Sequence, residues 1–273
     1  MNCTRFGMLG LLTFLPAFAQ VSSVVLAEEP AGHLADRHFG IIRGRVDHID
    51  GSSESTNWSG YAVLGSAFTS AHGSWVVPAV NCTGVRGDQY SAFWVGLDGY
   101  SSSTVEQTGT LSDCTGRSAS YAAWYEFYPA GLIEVNMTIR PGDHMSASVV
   151  YNGGNSFTVT ITDVTTGRSF TKTSNVSGAA RSSAEWIAEA PCCTFSGGIL
   201  PLANFGTVKF GEDSTGVSGT NYATDSTNSG PIVTFTASNT VEINKIGSSS
   251  SPQTSTCSAL SQDGTSFSCT WAK

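Results

Sequence analysis

Hydrolysis of a polar bond needs a group that activates water, and the side chains able to do so are unevenly spread along this chain of 273 residues. Beyond Asn57 the histidines are His72 and His144, with no His-Glu-x-x-His pair, so a zinc site is not expected. No Gly-x-Ser-x-Gly elbow leads into a helix, and the paired Asp-Thr-Gly loops of an aspartic protease are missing. What remains is acidic and amide residues set among aromatic ones. Four segments carry them: Phe93-Trp94-Val95-Gly96-Leu97-Asp98-Gly99, Val105-Glu106-Gln107-Thr108-Gly109, Ala123-Trp124-Tyr125-Glu126-Phe127 and Ser183-Ala184-Glu185-Trp186-Ile187. Rings on a concave sheet make a groove floor for an extended polymer such as a peptide or a glycan. A carboxylate on such a floor loses hydration and holds its proton more tightly, which suits an acid/base catalyst.

The elements that must hold these segments are strands. Ile133, Val135, Met137 and Ile139 alternate with other residues before Pro141-Gly142, then Met145, Ala147, Val149 and Tyr151 alternate up to Asn152-Gly153-Gly154. Phe157, Val159 and Ile161 follow in the same period, completing an antiparallel meander. Short β-rich runs recur at Trp58–Val63, Gly73–Val77, Ser91–Leu97, Ala122–Phe127, Ala184–Ala188, Thr207–Phe210, Ile232–Phe235 and Val241–Ile246. No stretch keeps a helical period, and no internal repeat suggests a propeller. Strands with one apolar face bury it against one another, so the expected fold is all-β, a β-sandwich of two large antiparallel sheets of the concanavalin-like or jelly-roll-like kind.

Composition narrows the setting. Only 12% of residues are charged and the net charge is −8, which argues against a nucleic-acid partner and leaves a surface of Ser, Thr, Asn and Gly whose charge changes little in acid. Arg5, the apolar run Phe6 to Phe18 and the triplet Ala17-Phe18-Ala19 read as a signal peptide over residues 1–19, with Val25-Leu26-Ala27 as a second cleavage point. No later run is long enough to span a bilayer, so a secreted, soluble protein without a membrane partner is expected, as a monomer. Residues 20–55 are far more charged and hold three of the five histidines, the texture of a pro-segment or linker. Once Cys3 leaves with the signal, six cysteines remain, at 82, 114, 192, 193, 257 and 269, an even count that favours disulfides. Cys257 and Cys269 flank a short turn and look like a local clip, whereas the pairing of the neighbours Cys192 and Cys193 stays open.

The ordered set of segments resembles the glutamic peptidases, the eqolisin family G1. The likeness runs from Asn57-Trp58-Ser59-Gly60-Tyr61 through Phe205-Gly206 and includes Gly73-Ser74-Trp75-Val76-Val77-Pro78, Trp-Val-Gly-Leu-Asp-Gly, Gln-Thr-Gly, Trp-Tyr-Glu and Ala-Glu-Trp-Ile in the family's order. The peptidase domain is expected over residues 56–247; the Ser/Thr-rich tail over 248–273 lies outside the likeness, and its cysteines suggest an appended disulfide hairpin. The resemblance implies a secreted acid endopeptidase acting on proteins or peptides with no cofactor and no metal, and the charged residues 20–55 suggest that it is made as a zymogen. By resemblance Gln107 and Glu185 are the catalytic pair: Glu185 takes a proton from water, and Gln107 positions that water and donates to the developing oxyanion. Trp94, Asp98, Trp124 and Glu126 fall on the family's substrate-site positions. The loop containing Cys114 and the Pro191-Cys192-Cys193 stretch depart from the fungal pattern and are expected to alter subsite preference.

Taken singly, these residues have plainer readings. Gln107 would be a strand residue facing water, Glu185 a carboxylate opposite a basic partner, Asp98 a turn residue before Gly99, and the tryptophans plain core. Sequons begin at Asn57, Asn81, Asn136 and Asn175, which chance explains in so Ser/Thr-rich a chain. Two rival functions follow from the same residues. One is a glycan-binding sandwich without catalytic activity; the other is a glycosidase using two of Glu106, Glu126, Glu185 and Glu189.

Overall fold

The computed structural model describes residues 24–25, 41–192 and 198–273, with side chains given for all but the first two. The expected signal peptide, most of the expected pro-segment and Cys193 lie outside these residues.

Two sheets form. In the first, the lateral order is Val46–Asp47, Ser52–Ser55, Thr240–Lys245, Trp58–Leu64, Ser183–Glu189, Ala92–Leu97, Val105–Thr115, Ser118–Tyr128 and Ile133–Val135. All neighbours run antiparallel except Ser52–Ser55, which is parallel to Thr240–Lys245. The second sheet runs Arg168–Asn175, Ser156–Asp163, His144–Gly153 and Ser70–Val76. Beyond Ser70–Val76 it divides, with Thr207–Phe210 on one half of that strand and Tyr222–Thr224 on the other. Phe267–Ala272 and then Thr254–Cys257 extend it past Thr207–Phe210. The expected tail is thus an edge of the second sheet, with Cys257 and Cys269 joined opposite each other. A pairing of Ser255 with Lys245 ties the two sheets at this corner.

The sequence period explains the layering. Phe157, Val159 and Ile161 turn inward while Thr158, Thr160 and Thr162 turn out, each bonded to a hydroxyl of the next strand. Inward residues of the first sheet, among them Phe93, Val95, Tyr125 and Trp186, meet Trp75, Met145, Val149 and Phe157 of the second in one core. Two indoles cross the gap with hydrogen bonds: Trp75 donates to Thr110 Oγ1 at 2.8 Å, and Trp186 donates to the His72 carbonyl at 2.8 Å. Buried N–H groups need such partners, so both rings are fixed in direction as well as depth.

Two expected strands differ. Ile232–Phe235 is not extended: Ile232–Thr234 forms a 3₁₀ turn behind Pro231, and the spacing of three buries Ile232 and Phe235 together. The run from Ile133 keeps a ladder only to Val135; Met137 and Ile139 remain buried without being strand residues. Residues 41–55 lie against the body, with the Ile42 amide donating to the Gly99 carbonyl at 3.2 Å and Ser52–Ser55 paired in the sheet. Cys82 is bonded to Cys114, and Cys192 is disulfide-bonded as well.

Trp186 is fully buried and carries one of the two cross-sheet indole bonds. Trp186→Ala is expected to lower the unfolding free energy by about 3–5 kcal/mol, read from urea unfolding curves.

Candidate functional site

The first sheet has a second apolar layer on the face turned away from the core, built from Trp58, Trp94, Trp124, Ile187 and Ile243 with smaller residues between. Register places the polar residues of interest on that face. Ala62, Glu185, Gly96, Gln107 and Glu126 lie directly opposite one another on five successive strands. Opposed residues of an antiparallel ladder share a face, so this row turns its side chains outward with the tryptophans. The next row is Ile187, Trp94, Gly109 and Trp124, and the one after it Trp58, Glu189, Ala92 and Leu111.

Two glycines stand between the functional side chains and allow close packing there. Gly96 separates Glu185 from Gln107; a Cβ there would stand 2.9 Å from the Trp94 ring and 3.2 Å from the Gln107 Cβ. Gly109 separates Trp94 from Trp124, and a Cβ there would come within 2.2 Å of the Phe93 carbonyl oxygen. Glycine inside a strand usually costs stability, and here it admits the Trp94 ring over Gly96 and the close approach of the Phe93 carbonyl to Gly109. The backbones of Glu185 and Gln107 are two strand spacings apart, about 10 Å, with Gly96 between them.

Gln107 is oriented by its neighbour: its Nε2 donates to Glu126 Oε2 at 2.8 Å. That bond aims the amide oxygen elsewhere, and Gln107 Oε1 has no hydrogen-bond partner among the described residues. The same holds for both oxygens of Glu185 and for the Trp58 indole N–H, all of them buried. Unsatisfied buried polar atoms are rare in native proteins, and those of Glu185 and Gln107 lie in one row of this face. Burial holds Glu185 well above the ordinary carboxylate range, and the nearby carboxyls of Asp98 and Glu106 add to the shift. The Ser183 hydroxyl faces it and opposes the shift without reaching hydrogen-bond geometry.

The tryptophan rows are braced by Glu189, which accepts from Trp94 Nε1 and from Asn57 Nδ2, both at 2.9 Å. Trp58 meets Trp94 edge-to-face at 5.1 Å. Glu189 was considered in the sequence only as a glycosidase acid, and its bracing role could have been suspected from its alternation with Glu185 and Ile187. Asn57, the first sequon, is fully buried in the same network. Asp98 is engaged differently. At φ 70° it accepts from the backbone of Arg181 at 2.7 Å and from both the backbone and the hydroxyl of Ser182, at 2.9 and 3.0 Å. It fastens the turn that leads into Glu185. Glu106, opposite Leu97 and Phe127, projects to the core side of the sheet, away from the row of Glu185 and Gln107. Gln107, Glu185, Trp94, Trp124 and Glu126 are thus brought together on one face.

Comparison with known proteins gives a consistent picture. The model of the Peptidase A4 family matches residues 56–271, reaching through the second-sheet edge formed by the tail. Aspergillopepsin-2 of Aspergillus niger is 33% identical over 180 residues, 57% of this chain and 62% of that protein, so the match spans less than two thirds of its length. Scytalido-glutamic peptidase, solved with a transition state analog inhibitor, superposes with a TM-score of 0.63 at 25% identity over 80% of this chain and 98% of that one. SCP-B, a member of the eqolisin family solved with the tripeptide Ala-Ile-His, gives a TM-score of 0.60 at 26% identity with the same coverage.

Gly96→Val tests this close packing. Crowding Trp94 and Gln107 is expected to cost about 1–3 kcal/mol of stability in thermal or urea unfolding, by overpacking.

Proposed function

Because this chain belongs to the peptidase A4 family, we propose that it is an endopeptidase that cleaves proteins or peptides in acid, with Glu185 and Gln107 acting on a water between them. The observation that carries the reading is the shared row: a carboxyl and an amide on one face, separated by a glycine, with Gln107 turned by Glu126 so that its oxygen is unengaged.

The chemistry follows from the groups. A water admitted between the two side chains donates one hydrogen bond to Gln107 Oε1 and loses a proton to Glu185 as its oxygen bonds to the scissile carbonyl carbon. The carbonyl oxygen becomes an oxyanion and accepts from the Nε2–H of Gln107 that Glu126 leaves unused. Glu185 then passes the proton to the amide nitrogen, the C–N bond breaks, and a carboxylic acid and an amine leave. An amide suits the Gln107 role because it keeps its donor and its acceptor at every pH. Trp94 and Trp124 flank the pair as floor for the substrate, Glu126 fixes Gln107, and Asp98 acts through the turn it fastens.

Glu185 and Gln107 have no exposed surface, so the form described is a closed one. Opening the face to water would restore hydration to Glu185, bring its pKa back toward the ordinary carboxylate range and make it a base at acid pH. This supports residues 20–55 as a pro-segment whose removal accompanies activation, with Ile42 already packed among the outer tryptophans. Secretion is supported by the signal-like residues 1–19 and by the disulfides.

The test is cleavage of a denatured protein between pH 2 and 7 by the processed protein and two variants of equal foldedness. Activity should peak in acid, fall about 10²–10⁴-fold in Glu185→Gln and about 10²–10³-fold in Gln107→Ala. Cleavage surviving both changes would place the chemistry elsewhere. No cleavage by the processed wild type, with binding of glycans, would favour the sandwich as a binding module.

A further inference from the structure

Directly behind the proposed catalytic row lies a carboxyl that the reaction does not use. Glu106 precedes Gln107 on the same strand and points into the core, in the row of Ala184, Leu97 and Phe127. It is fully buried, and neither of its oxygens has a hydrogen-bond partner among the described residues. The Thr104 hydroxyl faces it without reaching hydrogen-bond geometry.

Among the described residues, no cation is recorded against it. The charged groups nearest in the ladder are Asp98, next to its opposite residue Leu97, and Glu185, next to Ala184. Both carry negative charge when ionised, and Glu126, beside Phe127, lies on the other face. Arg181, in the turn held by Asp98, sends its guanidinium elsewhere, 3.9 Å over the Tyr151 ring and 3.3 Å from the Phe68 carbonyl. The strands of the second sheet that contact Val105–Thr115, namely His144–Gly153 and Ser156–Asp163, bring His144, Tyr151 and Asp163 as their titratable residues. Each is engaged elsewhere: His144 Nδ1 with the Thr215 carbonyl, the Tyr151 hydroxyl with the Gly154 carbonyl, and Asp163 with the backbone of Thr165 and Thr166.

We propose that Glu106 is a proton-operated switch in the core behind the peptidase site: with its proton on, the two sheets close beneath Gln107 and Glu185, and its loss at rising pH opens that core and ends activity. The activity half of this proposal rests on the peptidase reading, and the structural half does not. A carboxylate left in this position would be an uncompensated charge between two sheets, beside Asp98. Burial, then the charge of Asp98, pushes the carboxyl up to about 9. A group held protonated only in the folded state adds stability fully present below its unfolded value, here the ordinary 4.5, and lost progressively as pH rises toward the folded value. Chain opening is therefore favoured with rising pH, the reverse of common acid denaturation.

The experiment is urea unfolding of the full chain between pH 4 and 8, followed by tryptophan fluorescence, for wild type, Glu106→Gln and Glu106→Leu. The wild type should be most stable at the acid end. Each carboxyl that keeps its proton only when folded makes the folding equilibrium fall by about tenfold per pH unit above its unfolded value. Removing Glu106 should lessen the slope by about one such tenfold step per unit, in either variant, while Glu185→Gln leaves the Glu106 contribution in place. In the activity arm, Glu106→Gln should continue to cleave at higher pH than wild type. An unchanged slope in both variants overturns the proposal. If the processed wild type cleaves nothing, the peptidase reading fails, and the unfolding slopes still decide the switch.

Discussion

Everything at the proposed site depends on strand register. Glu185, Gly96, Gln107 and Glu126 share a face only because three neighbouring ladders hold them opposite one another without a bulge. A slip of one residue in the Ser183–Glu189 strand would send Glu185 into the core and bring Trp186 out. The apolar partners of Trp186 forbid it. Its ring is buried against the second sheet and its N–H is taken by the His72 carbonyl, so the tryptophan that stabilises the sandwich also fixes which way its neighbouring glutamate points. Trp75 and Thr110 do the same for the strand of Gln107, three residues along.

The two faces of this sheet solve opposite problems. Inward, apolar side chains interlock, and the carboxyl of Glu106 is the conspicuous polar group left without a hydrogen-bond partner among the described residues. Outward, rings and carboxyls are equally buried, yet Glu185, Gln107 and Trp58 keep polar atoms that no described residue answers. Glu189, by contrast, is answered twice, by Asn57 and Trp94. The difference separates scaffold from reacting groups: the braces are saturated, and the groups proposed to meet water are not.

Much of this was legible in the sequence, for physical reasons. Strict alternation in Phe157, Val159 and Ile161 has one meaning in a sheet with a buried face, and the meander was readable from it. Gln107 and Glu185 were found through an ordered set of motifs, because spacing alone does not bring residues 78 positions apart to the same row. Register between distant strands is a tertiary property, and so the roles of Gly96 and Gly109 as points of close approach and of Glu106 as a core residue emerged only with the ladders. Asp98 shows the same limit, since a left-handed residue before a glycine reads locally as a turn while its partners lie more than eighty residues away. Ile232–Phe235 misled because apolar residues spaced by three fit a tight turn as well as a strand, and Pro231 tipped the balance.

The Phe267–Ala272 strand bears on how this edge of the second sheet resists opening. It is flanked on both sides, by Thr207–Phe210 and by Thr254–Cys257, and the latter hairpin is closed covalently through Cys257 and Cys269. Its release would require breaking two ladders at once, and even then the disulfide would keep it tethered to its hairpin partner. Local unfolding from this side therefore has to begin as a two-strand event, with the covalent clip carried along as one unit.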